Sequence, residues 1–291
     1  MKTIFYNYLD LIKIRISLLV LLTGYLGYYL GLRNEGIYDD YKILFYLLFG
    51  MFLSASGSAV LNQYLEKDFD KQMNRTKNRP IPSGRIKPFS ALIFGSILCV
   101  FGIFFIYLTV NKLTAIICFL TVFLYLFVYT PSKRYSTLNT LIGSIPGALP
   151  VIGGWTAATN ELHSISWILF AILFCWQIPH FLAIAIIYSK DYEKGGFKML
   201  PSEYPNSRHT QYHVLFFSIA MIGTSIGLYF KNIVDIGYLL GISIIGVMFF
   251  VVVLQFLNES SNKNAKKLMK ATLFYFPLMF ILIILDALEI I

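Results

Sequence analysis

Long apolar runs alternate with short charged segments along the whole chain. A membrane-spanning helix needs about 20 mostly apolar residues, and a scan for such runs finds nine of them. The nine predicted spans are residues 15–33, 43–64, 90–110, 113–130, 138–158, 165–188, 213–230, 234–256 and 270–290. This pattern predicts an all-α, polytopic membrane protein whose nine transmembrane helices are bundled around a central cavity.

The composition agrees with this prediction and excludes a soluble protein. Of the 291 residues, 57% are apolar and only 13% are charged, whereas soluble domains are about 45–50% apolar and about 25% charged. Too few polar side chains remain to cover a water-soluble surface. The net charge of +9 could suggest nucleic acid, but the Phe and Tyr residues lie mostly inside apolar runs. We therefore expect membrane lipid, and no nucleic acid, as a partner.

The distribution of basic residues predicts the orientation in the membrane. Lys and Arg are retained on the cytoplasmic side of short loops. Of the 24 Lys and Arg residues, all but Arg33, Lys42, Lys112 and Lys231 lie at one set of span ends. Nine spans then give a cytoplasmic N-terminus and an outward C-terminus. Neither a cleavable signal peptide nor a mitochondrial presequence is apparent, which favours a bacterial inner membrane.

Two long cytoplasmic loops, after the second and sixth predicted spans, carry carboxylates among their bases. Glu66 and Asp191 mark these loops and are separated by four helices, so both loops lie on one face. We predict a single domain over residues 1–291 that contains a parallel four-helix pseudo-repeat, about 13–131 and 137–257, and a ninth helix. The two loops would cap the bundle, with the active site open to the cytoplasm.

A stripe of polar side chains is predicted at the end of the second span. If the helix continues to its end, Asn62, Glu66 and Asp70 follow one another at intervals of four residues and share one face. Asp68 lies between the two carboxylates. Mg²⁺ binds one or two carboxylates and shares its other positions with water and phosphate. The stripe therefore predicts a magnesium site.

Bases follow this stripe directly, at Arg75, Lys77 and Arg79. Arginine is suited to bidentate contact with phosphate, so metal, acids and bases together predict a diphosphate site. The alternative is a solvated loop whose charges mark the cytoplasmic side or attract anionic lipid.

The loop after the sixth span contains Lys190, Asp191 and Glu193. The acids could hold a second ion and Lys190 could meet the diphosphate, although an ordinary loop would carry the same charges. Inside the membrane, Gln177 and His180 flank a proline near the end of the sixth span. Such polar groups usually face a cavity or the bundle interior, so His180 could contact a substrate, ligate iron, move a proton or simply hydrogen-bond within the bundle.

Taken together, these motifs resemble those of the UbiA superfamily of intramembrane prenyltransferases, and within it the heme-farnesylating branch. The resemblance extends from Lys13 to the last span. The superfamily's shared motif is seen at residues 62–70, 75–80 and 84–85. The stretches more specific to the heme-farnesylating branch are residues 130–134, 147–155, 176–181 and 190–201. Glu66 departs from the pattern, because the family usually has Asp there.

The resemblance implies a Mg²⁺-dependent transfer of the farnesyl group of farnesyl diphosphate to a vinyl group of heme B, with addition of water, giving heme O and diphosphate. It also implies heme A synthase or the terminal-oxidase assembly as partners. The implied catalytic residues are Asn62, Asp68, Asp70, Lys190 and Asp191. The implied metal ligands are Glu66, Asp68, Asp70 and Asp191. Diphosphate would bind to Arg75, Lys77, Arg79, Lys133 and Arg134, and heme to Gln177 and His180.

Two other functions fit the same architecture less well. A prenyltransferase for a quinone-ring precursor should have a second motif richer in Asp and should lack the motif at residues 176–181. A transporter for a phosphate-bearing solute should place charges deep within several spans, but the charges of this chain concentrate at the span ends.

Overall fold

The structure, a computed structural model, describes residues 2–36, 40–205 and 207–288. All regular structure in these ranges is helical. The first helices are α1 (Lys2–Leu11), α2 (Ile14–Glu35), α3 (Tyr41–Asp70), α4 (Pro88–Thr109) and α5 (Lys112–Phe123), which continues through a π-helical segment (Leu124–Tyr129) into α6 (Thr130–Tyr135). They are followed by α7 (Asn139–Thr159), α8 (Ser164–Ile187), α9 (Ser189–Lys194), α10 (Leu200–Glu203), α11 (His209–Gly227), a 3₁₀ turn (Tyr229–Lys231), α12 (Ile236–Asn258) and α13 (Asn262–Ala287).

Within the described ranges, nine helical segments are long and apolar enough to cross a membrane. Each coincides with a predicted span, so the nine-span, all-helical prediction is confirmed. The largest difference is at the ninth, which begins at Asn262 rather than at residue 270, because a lysine-rich first turn is polar but still helical. The predicted end of that span, at residue 290, lies outside the described residues.

Several of these helices present apolar side chains outward. Val100 and Phe104 on α4, and Val247 and Met248 on α12, are all exposed. Contiguous exposed apolar surface is rare on soluble monomers. These faces are suited to lipid, and the chain is a multi-pass membrane protein.

The described residues form two compact units. One comprises Met1–Leu162 together with Lys190–Phe197, and the other comprises His163–Ser189 together with Lys198–Ile291. The single domain, the four-helix pseudo-repeat and the cytoplasmic position of the cap loops stay predictions.

Glycines bring helices of the first unit into backbone contact. A Cβ atom on Gly27 of α2 would collide with the carbonyl oxygen of Val151 on α7, and one on Gly154 would collide with the carbonyl oxygen of Gly24. The same crowding occurs between α3 and α4, where a Cβ atom on Gly57 would lie 2.7 Å from a backbone oxygen of α4. The glycine- and proline-rich α7 is one continuous helix, and Gly154 serves its close packing against α2.

In the second unit, polar groups within the spans are paired between helices. The indole Nε1 of Trp176 on α8 donates to the carbonyl oxygen of Thr272 on α13 at 2.7 Å. The backbone N–H of Asp235, just before α12, donates to the buried carboxylate of Asp286 on α13 at 2.7 Å. Such pairing offsets the cost of placing polar groups in an apolar environment.

Candidate active site

The predicted stripe is present at the end of α3. This helix continues to Asp70, so Asn62, Glu66 and Asp70 share one face, and all three are buried. The Thr76 hydroxyl donates to the carbonyl oxygen of Asp70 at 3.0 Å and satisfies one of the open carbonyls at the helix end. The sequence spacing thus places an amide and two carboxylates side by side.

Each buried carboxylate of the stripe has a basic partner. Lys133 Nζ lies 2.8 Å from Glu66 Oε1, and Arg79 Nη1 lies 2.7 Å from Asp70 Oδ2. Buried charges need such partners, because an uncompensated ion in the interior costs several kcal/mol. The other oxygen of Asp70, Oδ1, is buried and has no hydrogen-bond partner. We refer to Asn62, Glu66, Asp70, Arg79 and Lys133 as the acid–base cluster.

The π-helical segment contributes to the position of Lys133. The Thr130 hydroxyl donates to the carbonyl oxygen of Tyr125 at 2.8 Å and accepts from Asn62 Nδ2 at 3.2 Å. Lys133 lies one turn later, with its ammonium 4.5 Å from the ring centroid of Tyr129. Wide turns of this kind often occur at functional sites.

Lys13 joins the cluster, although the sequence pattern identified it only as an orientation signal. Its Nζ donates to Asn62 Oδ1 at 3.3 Å. Burial, with the neighbouring Arg79 guanidinium, lowers the pKa of Lys13 to about 7. Its place directly before the first span was the available signal, but nothing in the sequence pairs that position with Asn62.

The two charged loops meet within the first unit. The Asp191 carboxylate accepts from the backbone N–H of Arg75 at 3.0 Å and of Asn74 at 3.4 Å. Arg75 Nη2 donates to the Tyr192 hydroxyl at 3.2 Å. Asp191 thus fixes the segment that follows the stripe. Lys190 on the same short helix is exposed.

Three other predicted residues lie outside the acid–base cluster. Asp68 is 66% exposed and forms ion pairs with Lys67 and Lys71 at 3.7 Å and 3.6 Å. Two residues along an α-helix correspond to a turn of about 200°, so Asp68 faces away from the side that carries Glu66 and Asp70. Arg134 lies over the ring of Phe69, and exposed Lys77 donates to Asn74 Oδ1 at 3.1 Å.

His180 and Gln177 belong to the second unit. His180 Nδ1 lies 2.8 Å from Thr272 Oγ1, and the Thr272 hydroxyl donates to the carbonyl oxygen of Met269 at 2.6 Å. When the single hydroxyl proton is directed to Met269, the hydroxyl accepts from His180 Nδ1–H, and this tautomer leaves Nε2 with a lone pair. Gln177 Nε2 donates to the carbonyl oxygen of Leu173 at 3.0 Å, within its own helix.

The predicted ligands Glu66, Asp68, Asp70 and Asp191 are not gathered into one metal site. Across the described part of the chain, no group of three or more His, Cys, Asp or Glu side chains is placed to hold an ion. Asp68 lies on another face of α3, and Asp191 accepts from the backbone of the next segment. Metal binding by these two residues stays a prediction. Two carboxylates suffice when phosphate and water complete the shell. The unpartnered Oδ1 of Asp70 and the neighbouring Glu66 therefore fit Mg²⁺.

An open cavity of about 370 Å³ lies beside the cluster in the first unit. Its walls include Lys13, Arg75, Arg79 and Arg85, with Asp10 and Gln63. The Arg85 Nη1 atom donates to Asn7 Oδ1 at 2.7 Å and lies 3.4 Å from the Asp10 carboxylate. The walls therefore carry four bases and one acid, which suits an anionic occupant.

The sequence profile of the UbiA prenyltransferase family matches residues 20–282. The chain belongs to this family. A UbiA-family relative, protoheme IX farnesyltransferase of Solibacter usitatus, is 37% identical over 286 residues, covering 96% of this chain and 98% of that protein.

Solved structures share the UbiA fold. One, from work on digeranylgeranylglyceryl phosphate synthase in membranes, has a TM-score of 0.83 at 21% identity and covers 99% of this chain and 100% of that chain. A UbiA homologue from Archaeoglobus fulgidus bound to DMAPP and Mg²⁺ has a TM-score of 0.65 at 16% identity, over 95% and 99% of the two chains. At these identities the likeness concerns the fold alone.

Proposed function

We propose that this protein transfers the farnesyl group of farnesyl diphosphate to a vinyl group of heme B. The products are heme O and diphosphate, and one water is consumed. The observation that carries the proposal is the acid–base cluster, which lies in a chain related over nearly its whole length to protoheme IX farnesyltransferase. A diphosphate leaving group explains why buried acids and bases are gathered at one end of the spans.

The cluster would bind the diphosphate end of the substrate. Glu66 and Asp70 would hold Mg²⁺, which takes up negative charge on the leaving diphosphate when it is bound. Arg79 and Lys133 would contact phosphate oxygens directly, and the Asn62 amide would orient the bases beside it. Asp191, through its bonds to the backbone of residues 74 and 75, would keep the Arg75 segment in place. Phosphate contacts by Lys77, Arg134 and Lys190 stay predictions.

The carbon chemistry requires a dry site. When the bond between the farnesyl C1 and the diphosphate breaks, the allylic cation must meet the vinyl carbon before water does. The vinyl group supplies the electron pair for the new C–C bond. The resulting cation beside the porphyrin then takes a hydroxyl from water, which releases a proton. The apolar spans would exclude water during the first step.

Two polar side chains of α8 would contact heme. His180 Nε2 has a lone pair because Thr272 holds the proton on Nδ1, and such a nitrogen suits heme iron. Gln177, one turn earlier on α8, is buried beside it along the same helix. We also propose a bacterial inner membrane, a cytoplasmic N-terminus and a cytoplasmic opening of the site, because the bases concentrate at one set of span ends.

The full chain, purified in detergent or nanodiscs with Mg²⁺, farnesyl diphosphate and heme B, tests this function. Mass spectrometry should detect a heme heavier by one farnesyl and one hydroxyl group. A parallel reaction with 4-hydroxybenzoate as the acceptor should give no product. Unmodified heme together with a prenylated aromatic acid would refute the proposal and favour a quinone-precursor prenyltransferase.

A further inference from the structure

Lys13 occupies an unusual place at the start of the first span. It lies in the break between α1 and α2, with left-handed backbone angles of φ 48° and ψ 54°. This conformation is strained for a residue that carries a Cβ atom. Its carbonyl oxygen accepts from the N–H groups of Ile16 and Ser17 at 2.8 Å and 3.2 Å and so begins α2. The tight turn leaves Lys13 beside Asn62 rather than in the aqueous phase.

The charges around Lys13 do not balance. Glu66 is paired with Lys133 and Asp70 is paired with Arg79, so both buried carboxylates of the cluster already have a cation. Among the described residues, the Lys13 ammonium donates to the neutral amide oxygen of Asn62 and forms no ion pair. Three bases thus face two acids. A half-buried cation that faces a neutral group is the arrangement expected of an anion-binding site without its anion.

The cavity supplies room for that anion. Its volume is about 370 Å³, and one water molecule needs only about 10–15 Å³ of such space. Lys13 and Arg79 both line it, and Arg79 also bonds Asp70, the carboxylate whose second oxygen is unpartnered. An anion between Lys13 and Arg79 would therefore lie next to the carboxylates that fit the metal.

We propose that Lys13 binds the diphosphate of the prenyl substrate, as a third base beside Arg79 and Lys133. This inference rests on the proposed function. Diphosphate is chosen over a heme carboxylate because Arg79 joins the Lys13 cavity to Asp70. Lys13 acts in binding, and its ammonium donates hydrogen bonds to phosphate oxygens of the substrate.

The test uses inorganic diphosphate with Mg²⁺ as the probe and the full chain in nanodiscs. Lys13→Met keeps the length of the side chain without the charge and should weaken diphosphate binding by about 10- to 100-fold. Lys13→Arg should retain most of the affinity. Arg15→Met, which removes an exposed base two residues away, should bind as the unmodified chain does.

Unchanged diphosphate affinity in Lys13→Met would overturn the inference, provided that thermal unfolding shows the variant to be folded. If Lys13→Met fails to fold, a loss of diphosphate binding in the folded Lys13→Ala variant gives the same support. Steady-state kinetics separate the two anions: KM should rise for farnesyl diphosphate, and a rise for heme B alone would assign Lys13 to a heme carboxylate and refute the diphosphate contact. The binding measurement needs neither heme nor turnover, so this inference and the proposed function can fail separately.

Discussion

At the scale of single residues, the site depends on which face of α3 a carboxylate occupies. The spacing of Asn62, Glu66 and Asp70 could be predicted from sequence because helix geometry alone decides it. Their partners could not be predicted, since Lys133 is 67 positions from Glu66 and reaches it only through tertiary packing. The same limit explains why Lys13 was missed. Asp68 was predicted as a ligand because it is acidic and close in sequence, and the helix places it on another face than Glu66 and Asp70.

Asp70 and Asp68 provide a matched pair for testing this distinction. Asp70→Asn removes the charge of a fully buried carboxylate that would hold Mg²⁺, so turnover should fall by at least about 100-fold. Asp68→Asn removes an exposed charge in weak ion pairs, so turnover should stay within about twofold. The measurement is farnesyl transfer per folded molecule, with size-exclusion chromatography as the folding control. Equal losses of turnover in the two variants would show that Asp68 contributes to the metal site as much as Asp70 does.

The lowered pKa of Lys13 predicts a pH dependence of diphosphate binding. With a pKa of about 7 in the free protein, Lys13 is charged below pH 7 and increasingly neutral above it. A bound anion favours the charged form, so binding takes up a proton and affinity should fall as the pH rises through 7. Lys13→Arg stays charged throughout and should lose this part of the dependence. Titration calorimetry between pH 6 and 9 in two buffers would measure both effects, and identical profiles would contradict the prediction.

At the scale of helices, the apolar runs predicted all nine spans, because length and hydropathy suffice for that purpose. Two local features could not be predicted. Helix α1 is too short and too polar to be detected as a span. The π-helical segment Leu124–Tyr129 has the same apolar sequence pattern as an ordinary α-helix. The glycines and prolines of α7 do not by themselves distinguish close packing from a helix break, since both favour the same residues.

Two neighbouring glycines of α7 test that packing. Gly154→Ala would drive a methyl group into the backbone of α2, which cannot yield as a side chain can. We expect a loss of about 1–3 kcal/mol. Gly153→Ala would meet only Ile117, at an ordinary 3.7 Å, and should change stability by less than about 0.5 kcal/mol. Thermal unfolding in one detergent compares the two. Similar melting temperatures would show that α2 and α7 are farther apart than described.

Helix α13 supplies the group that sets the proton on His180 of α8. Thr272→Val keeps the shape but removes the hydroxyl, so His180 loses the acceptor that holds hydrogen on Nδ1. We expect the KM for heme B to rise by about tenfold and the KM for farnesyl diphosphate to stay constant. Thr272→Ser keeps the hydroxyl and should behave as the unmodified chain does. If the Val and Ser variants share one KM for heme B, the tautomer has no role in heme binding.

At the scale of the whole molecule, orientation in the membrane is the main untested prediction. Ser83 and Glu161 are exposed and lie at opposite ends of the predicted spans. In intact cells, a membrane-impermeant maleimide should label Glu161→Cys, and it should label Ser83→Cys only after lysis. The native cysteines Cys99, Cys118 and Cys175 are buried or half-buried within spans and should react slowly. The reverse labelling pattern would invert the topology.

The ion pairs of the acid–base cluster also couple the binding of a metal ion to the binding of diphosphate. Without ligands, Glu66 and Asp70 neutralise Lys133 and Arg79. A metal ion alone would displace these bases and leave them without counter-ions, and a diphosphate alone would do the same to the acids. When both bind together, the carboxylates exchange the bases for the metal ion, and the bases exchange the carboxylates for the diphosphate. Metal and diphosphate should therefore bind cooperatively, each raising the affinity for the other by the same factor.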